Sequence, residues 1–140
     1  MSFSARWTRL LMVAAAVGLA GAAYGTRAVM DGPIEQYSGA AFSGAIVYTI
    51  AVFIRPSIRP LLAGAIAIAY CWFIEFAQLT SIPEAISERS WFARQLLGAQ
   101  FDLVDVIWYP VGIIPLVIAH WFLRSGERLK PARSGEHAGL

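Results

Sequence analysis

Four apolar runs separated by short polar turns limit what this chain can become. Residues 10–29, 39–54, 61–80 and 103–123 carry almost no charge, and three of these runs reach the roughly 20 residues that a helix needs to cross bilayer hydrocarbon. The second run is short. At 1.5 Å per residue it reaches only about 24 Å, so it must recruit flanking residues such as Tyr37 and Ser38 or sit in a thinned bilayer. Of the 140 residues, 58% are hydrophobic and 14% charged, against about 45–50% and 25% in soluble domains. Four spans leave no chain for a soluble domain. The expected fold is therefore an all-α membrane protein with four transmembrane helices in one domain, residues 1–123, followed by a polar cytoplasmic tail, 124–140, expected to be disordered.

The turns have readable chemistry. Asp31-Gly32-Pro33 breaks the chain after the first span, and Arg55-Pro56-Ser57-Ile58-Arg59-Pro60 ends the second and starts the third. Ser81-Ile82-Pro83-Glu84 has the S-x-x-E form of a capping box, and apolar residues recur at helical spacing after it. An amphipathic interfacial helix over about 82–97 follows from this, bent or in two pieces, with Trp91 at the interface and Gly98 as its stop. Pro110 and Pro115 fall inside the fourth span and predict a kink near Gly112. Gly18, Ala22 and Gly25 on the first span fit the spacing of a close helix–helix contact. The basic N-terminus, apolar run and Ala20-Gly21-Ala22 also resemble a cleavable secretory signal, but with three further runs behind them an uncleaved span is the simpler reading.

Basic residues set the expected orientation. With the N-terminus inside, Arg6, Arg9, Arg55, Arg59, Arg124, Arg128, Lys130 and Arg133 are cytoplasmic, and only Arg27, Arg89 and Arg94 are outside. Topology accounts for the net charge of +2 better than a nucleic-acid partner does. The expected location is a membrane crossed several times, with both termini cytoplasmic. Membrane lipids are the expected partners, together with a membrane-protein partner or a second copy of the chain. No cofactor or metal is expected, and the lone Cys71 reads as a small buried hydrophobe.

Acids and amides inside the spans mark the candidate site, because a charge at the bilayer centre costs about 2.5–3.5 kcal/mol on insertion scales. Glu75 and Gln78 lie three residues apart near the outer end of the third span. Asp102, Asp105, Tyr109 and Gly112 step by three and four along the fourth, drawing one polar stripe with a close-approach glycine at its foot. Glu75 and Asp105 fall at similar depth and face each other if the two spans pack, with Arg89 or Arg94 as the cation between them or a proton shared. Blander readings stand beside these: Asp102 as a helix N-cap, the arginines as surface charge, His120 as an interfacial anchor, and Trp72, Trp108 and Trp121 as an aromatic belt. There is no H-E-x-x-H, G-x-S-x-G, phosphate loop or dinucleotide fingerprint, so an enzyme is the minority reading.

Several of these residues carry a resemblance. Gly39-Ala40-Ala41-Phe42 with Val47-Tyr48, the E-x-x-Q element Glu75 to Gln78, and the L-G-x-x-F-x-x-x-D-x-x-x-Y-x-x-G element from Leu97 to Gly112 resemble the small bacterial membrane proteins grouped as domain of unknown function 2809. The likeness covers about 37–122. A looser one extends to VanZ-like proteins, which share an E-x-x-Q on one span and an arginine and aspartate before the next, and are associated with glycopeptide (teicoplanin) resistance. The resemblance implies that Glu75, Gln78, Asp105, Tyr109 and Gly112 are retained site positions. It also implies a departure: the family usually has Gly-Asp where this chain has Gly39-Ala40, and Ser43 stands where an aromatic is common. The expected function is binding of a polar ligand or lipid headgroup in an outward-facing pocket between the third and fourth spans, in envelope maintenance or glycopeptide resistance. An accessory subunit and a carboxylate-based enzyme on a lipid-linked substrate are the alternatives.

Overall fold

The computed structural model describes residues 4–80, 82–91 and 101–128. Five helices occur among them: α1 Ala5–Val29, α2 Pro33–Ile54, α3 Pro60–Ala77, α4 Ile82–Ser87 and α5 Leu103–Arg128. Four of the five are long and apolar enough to cross a membrane, as the sequence predicts. Large apolar side chains such as Leu61, Phe73, Ile107 and Phe122 are exposed along them, a surface suited to lipid rather than water.

The boundaries differ from expectation in ways that matter for the site. α2 starts at Pro33 and not near 39, because Gly32 turns the chain at φ 72° and Pro33 and Glu35 suit a first helical turn. The short span becomes a helix about 33 Å long, and its polar first turn adds Glu35 and Gln36 to the end where the acids gather. α3 stops at Ala77 rather than 80. Gln78 donates its N–H to the carbonyls of Ile74 and Glu75, and Thr80 turns its hydroxyl back to Ala77 O at 2.6 Å. The expected amphipathic interfacial helix over 82–97 is not supported among the described residues: α4 ends at Ser87 after six residues, and the stretch 92–97 lies outside the described residues, as does the tail from 129.

Helices α2, α3 and α5 pack on one another, and α1 lies along the outer side of α2. The core is Tyr48, Val52, Ile58, Ala63, Ala67 and Ile113. Backbones come closest between α2 and α5: a Cβ on Gly112 would overlap the backbone of Ala41, and one on Gly44 would stand 2.8 Å from the carbonyl oxygen of Tyr109. Gly18 and Ala22 do not make the close contact expected of them within this chain. Both are exposed, and a Cβ on Gly18 meets nothing within 4 Å.

α5 runs unbroken through both prolines. Pro110 has no N–H for the carbonyl of Val106, four residues earlier, and the indole of Trp72 on α3 supplies one, Nε1 donating to Val106 O at 2.9 Å. Trp72 is thus a bridge between helices and not only a belt residue. At the opposite end of the bundle from the acids, Arg9 Nε donates to Phe53 O at 3.1 Å, and Arg124 donates to Ile58 O at 2.6 Å and Ser57 O at 3.3 Å. His120 is tied inward as well, its Nδ1 2.7 Å from the hydroxyl of Tyr48.

Two substitutions test this packing. Gly112→Ala should lower the thermal midpoint of the detergent-purified protein by the equivalent of about 2 kcal/mol or more, whereas Gly18→Ala should be neutral or slightly stabilising. Trp72→Phe should cost about 1–3 kcal/mol by stranding the Val106 carbonyl; an unchanged melt would show that this carbonyl needs no partner.

Candidate functional site

A cavity of about 880 Å³ opens at the acidic end of the bundle. Its volume lies within the range of small-molecule sites, about 300–1,000 Å³. Four helices line it: Ala20, Ala23, Tyr24 and Arg27 from α1, Ala40, Ser43 and Val47 among others from α2, Tyr70, Cys71, Ile74 and Glu75 from α3 with Gln78 just beyond, and Asp105 and Tyr109 from α5. Sequence spacing places the pocket between the third and fourth spans alone. The lengthened α2 and the leaning α1 make it a four-helix site.

Glu75 organises the acidic end. It is 1% exposed, and its carboxyl group accepts two hydrogen bonds from α5: the backbone N–H of Asp102 at 2.7 Å on Oε1 and the Tyr109 hydroxyl at 3.1 Å on Oε2. Asp102 in turn caps α5. Its Oδ1 accepts the N–H of Val104 at 2.8 Å, its Oδ2 accepts from Gln36 Nε2 on α2, and its carbonyl accepts the N–H of Asp105. An acid at the third helical position ordinarily reaches back to the N–H of the cap residue. That position is Asp105, and Glu75 from another helix has taken the donor. Asp105 is released into the cavity, where its buried Oδ1 has no hydrogen-bond partner among the described residues.

The cations do not stand where the sequence places them. Glu75 and Asp105 make no ion pair among the described residues; Arg89 is exposed beyond α4, and Arg94 lies outside the described residues. Glu75 needs no cation, because two donors of α5 already meet it. Among the described residues the cation at the cavity is Arg27, near the end of α1, which pairs with Glu35 at 3.3 Å across the α1–α2 turn. Gln78 and Tyr109 line the cavity with Glu75 and Asp105, whereas Gly112 serves the α2–α5 contact and Gly18 and Ala22 lie on the far side of α1. Ala40 and Ser43, the two departures from the resembled pattern, both line it. Arg27, Glu35, Gln36 and the tyrosines Tyr24 and Tyr70 are missed from sequence; the one available signal is Pro33, which marks where α2 begins.

Truncating Glu75 should loosen the start of α5. Glu75→Ala is expected to cost about 2–4 kcal/mol and to speed hydrogen exchange at the Asp102 amide, while Glu75→Gln, whose amide oxygen still accepts, should cost less. Equal stability of both variants with wild type would remove Glu75 from this role.

No curated protein and no solved structure matches the chain. The model of the family described as "Protein of unknown function (DUF2809)" matches residues 29–113, a stretch that runs from the end of α1 through Ile113 and contains Glu75, Gln78, Asp102, Asp105, Tyr109 and Gly112. The match covers more than half of the chain, and the protein belongs to that family.

Proposed function

We propose that this is a ligand-binding membrane protein whose cavity takes a polar ligand or lipid headgroup. The observation that carries the reading is Asp105: a carboxyl oxygen buried at a cavity wall with no hydrogen-bond partner among the described residues is costly unless something arrives to meet it. In this reading the protein crosses a bacterial inner membrane with both termini cytoplasmic, since Arg9, Arg55, Arg59 and Arg124 gather at the end opposite the acids. The cavity then opens at the outer face, α4 lies along the interface, Arg89 and Arg94 steer anionic groups toward the mouth, and the role is in envelope maintenance. The test is a thermal-shift screen of detergent-purified protein against envelope lipids and glycopeptides, wild type beside Asp105→Asn. A compound should stabilise wild type and lose most of its effect on the variant. Uniform behaviour of both proteins toward every compound would refute the reading.

A second reading has one observation of its own. Gly18, Gly21, Ala22 and Gly25 leave one face of α1 open, which suits an accessory subunit docking on a membrane partner or a second copy. Gly18→Leu should then release a co-purifying protein, and retention of the same partner by the variant counts against it.

A further inference from the structure

The cavity is amphipathic by depth. Its rim holds Arg27 at the end of α1, Glu35 and Gln36 in the first turn of α2, Gln78 just past α3 and Asp105 in the first turn of α5. Two or more turns further in, its walls include Ala20, Ile46, Val47 and Tyr70. Along α2 it runs from Gly32 to Val47, about 22 Å, which exceeds the depth of one leaflet of hydrocarbon, about 15 Å. α1 packs chiefly against α2, so the walls formed by α1 and α3 face each other across the cavity with little contact between them. A freely diffusing polar solute needs neither the apolar lower half nor a gap between two lipid-facing helices. An amphiphile uses both.

The charges specify the headgroup. Arg27 and Glu35 answer one another at the rim, which leaves Glu75 and Asp105 as an acidic pair in the same cavity with no cation paired to either among the described residues. Glu75 already holds two donors, and the Oδ1 of Asp105 holds none among the described residues. That oxygen asks for a hydrogen as well as a positive charge, and a quaternary ammonium has no N–H to give. Arg27 meets Glu35 through Nε and its side chain is 71% exposed, which leaves its terminal nitrogens open to a phosphate at the rim.

We propose that the occupant is a phospholipid with a primary amine in its headgroup, entering from the bilayer between α1 and α3, with its ammonium on Asp105 beside Glu75 and its phosphate at Arg27. This rests on the reading of the cavity as a binding site. The test measures thermal stabilisation of the full-length, detergent-purified protein by phosphatidylethanolamine, phosphatidylcholine and phosphatidylglycerol of equal chain length, and by soluble glycerophosphoethanolamine. Phosphatidylethanolamine should bind best, and Asp105→Asn should weaken it about tenfold or more while leaving the lipid-free melt intact. Ala20→Phe, which fills the apolar half, should weaken it without touching the acids, and it serves if Asp105→Asn does not fold. Equal effects of the choline and ethanolamine lipids would overturn the amine assignment and leave the binding site standing. Equal stabilisation by the soluble headgroup would overturn entry from the bilayer. Indifference of wild type and both variants to every lipid and to the soluble headgroup would overturn the inference and the binding reading together.

Discussion

Hydrocarbon offers a polar group nothing to bond with, so every donor and acceptor inside a bilayer must be answered by the protein itself. Much of this structure follows from that demand. Pro110 strands the carbonyl of Val106, and Trp72 reaches across from α3 to answer it. The last turn of α2 and the turn before α3 end in carbonyls, and Arg9 and Arg124 answer those. The first turn of α5 exposes N–H groups, and Asp102 and Glu75 accept from them. Apart from the Asp102–Val104 cap, each of these bonds joins two helices or a helix and a turn, so satisfying the backbone also fixes the bundle.

The same accounting explains why one group is left over. Helix α5 begins with an acid at its cap and another at its third position, a pairing able to satisfy the local N–H groups without outside help. Glu75 intrudes from α3, helped by the hydroxyl of Tyr109, and does the work of the second acid. Asp105 therefore stands at a cavity wall with an unanswered oxygen while the N–H groups of Asp102, Val104 and Asp105 are bonded. Structural demand and the candidate site are divided between two carboxyl groups that line one cavity.

How much of this was legible in the sequence depends on the range of the interaction. Glu75, Gln78, Asp105 and Tyr109 stand out because acids, amides and a tyrosine at helical spacing in apolar runs are rare, and all four line the cavity. The N-cap role of Asp102 is local and equally readable. Arg27 and Glu35 are not, since they belong to the site only because Gly32 and Pro33 start α2 early and turn it back along α1. Trp72 looks like an aromatic-belt residue until Pro110 is placed beside it on the neighbouring helix.

The sequence by itself determined four apolar helices, where their turns fall and which polar residues lie at depth, because periodicity, hydropathy and turn chemistry are properties of neighbours along the chain. Only the tertiary structure decided that α1 leans on α2 and stands apart from α3, that Gly112 meets α2 while Gly18 meets no helix of this chain among the described residues, and that the Glu75 carboxyl is bonded while Asp105 Oδ1 is not. Those outcomes turn on which helix faces which and in what register. One hydrophobic pattern permits several such arrangements, and backbone contact and hydrogen-bond satisfaction choose among them.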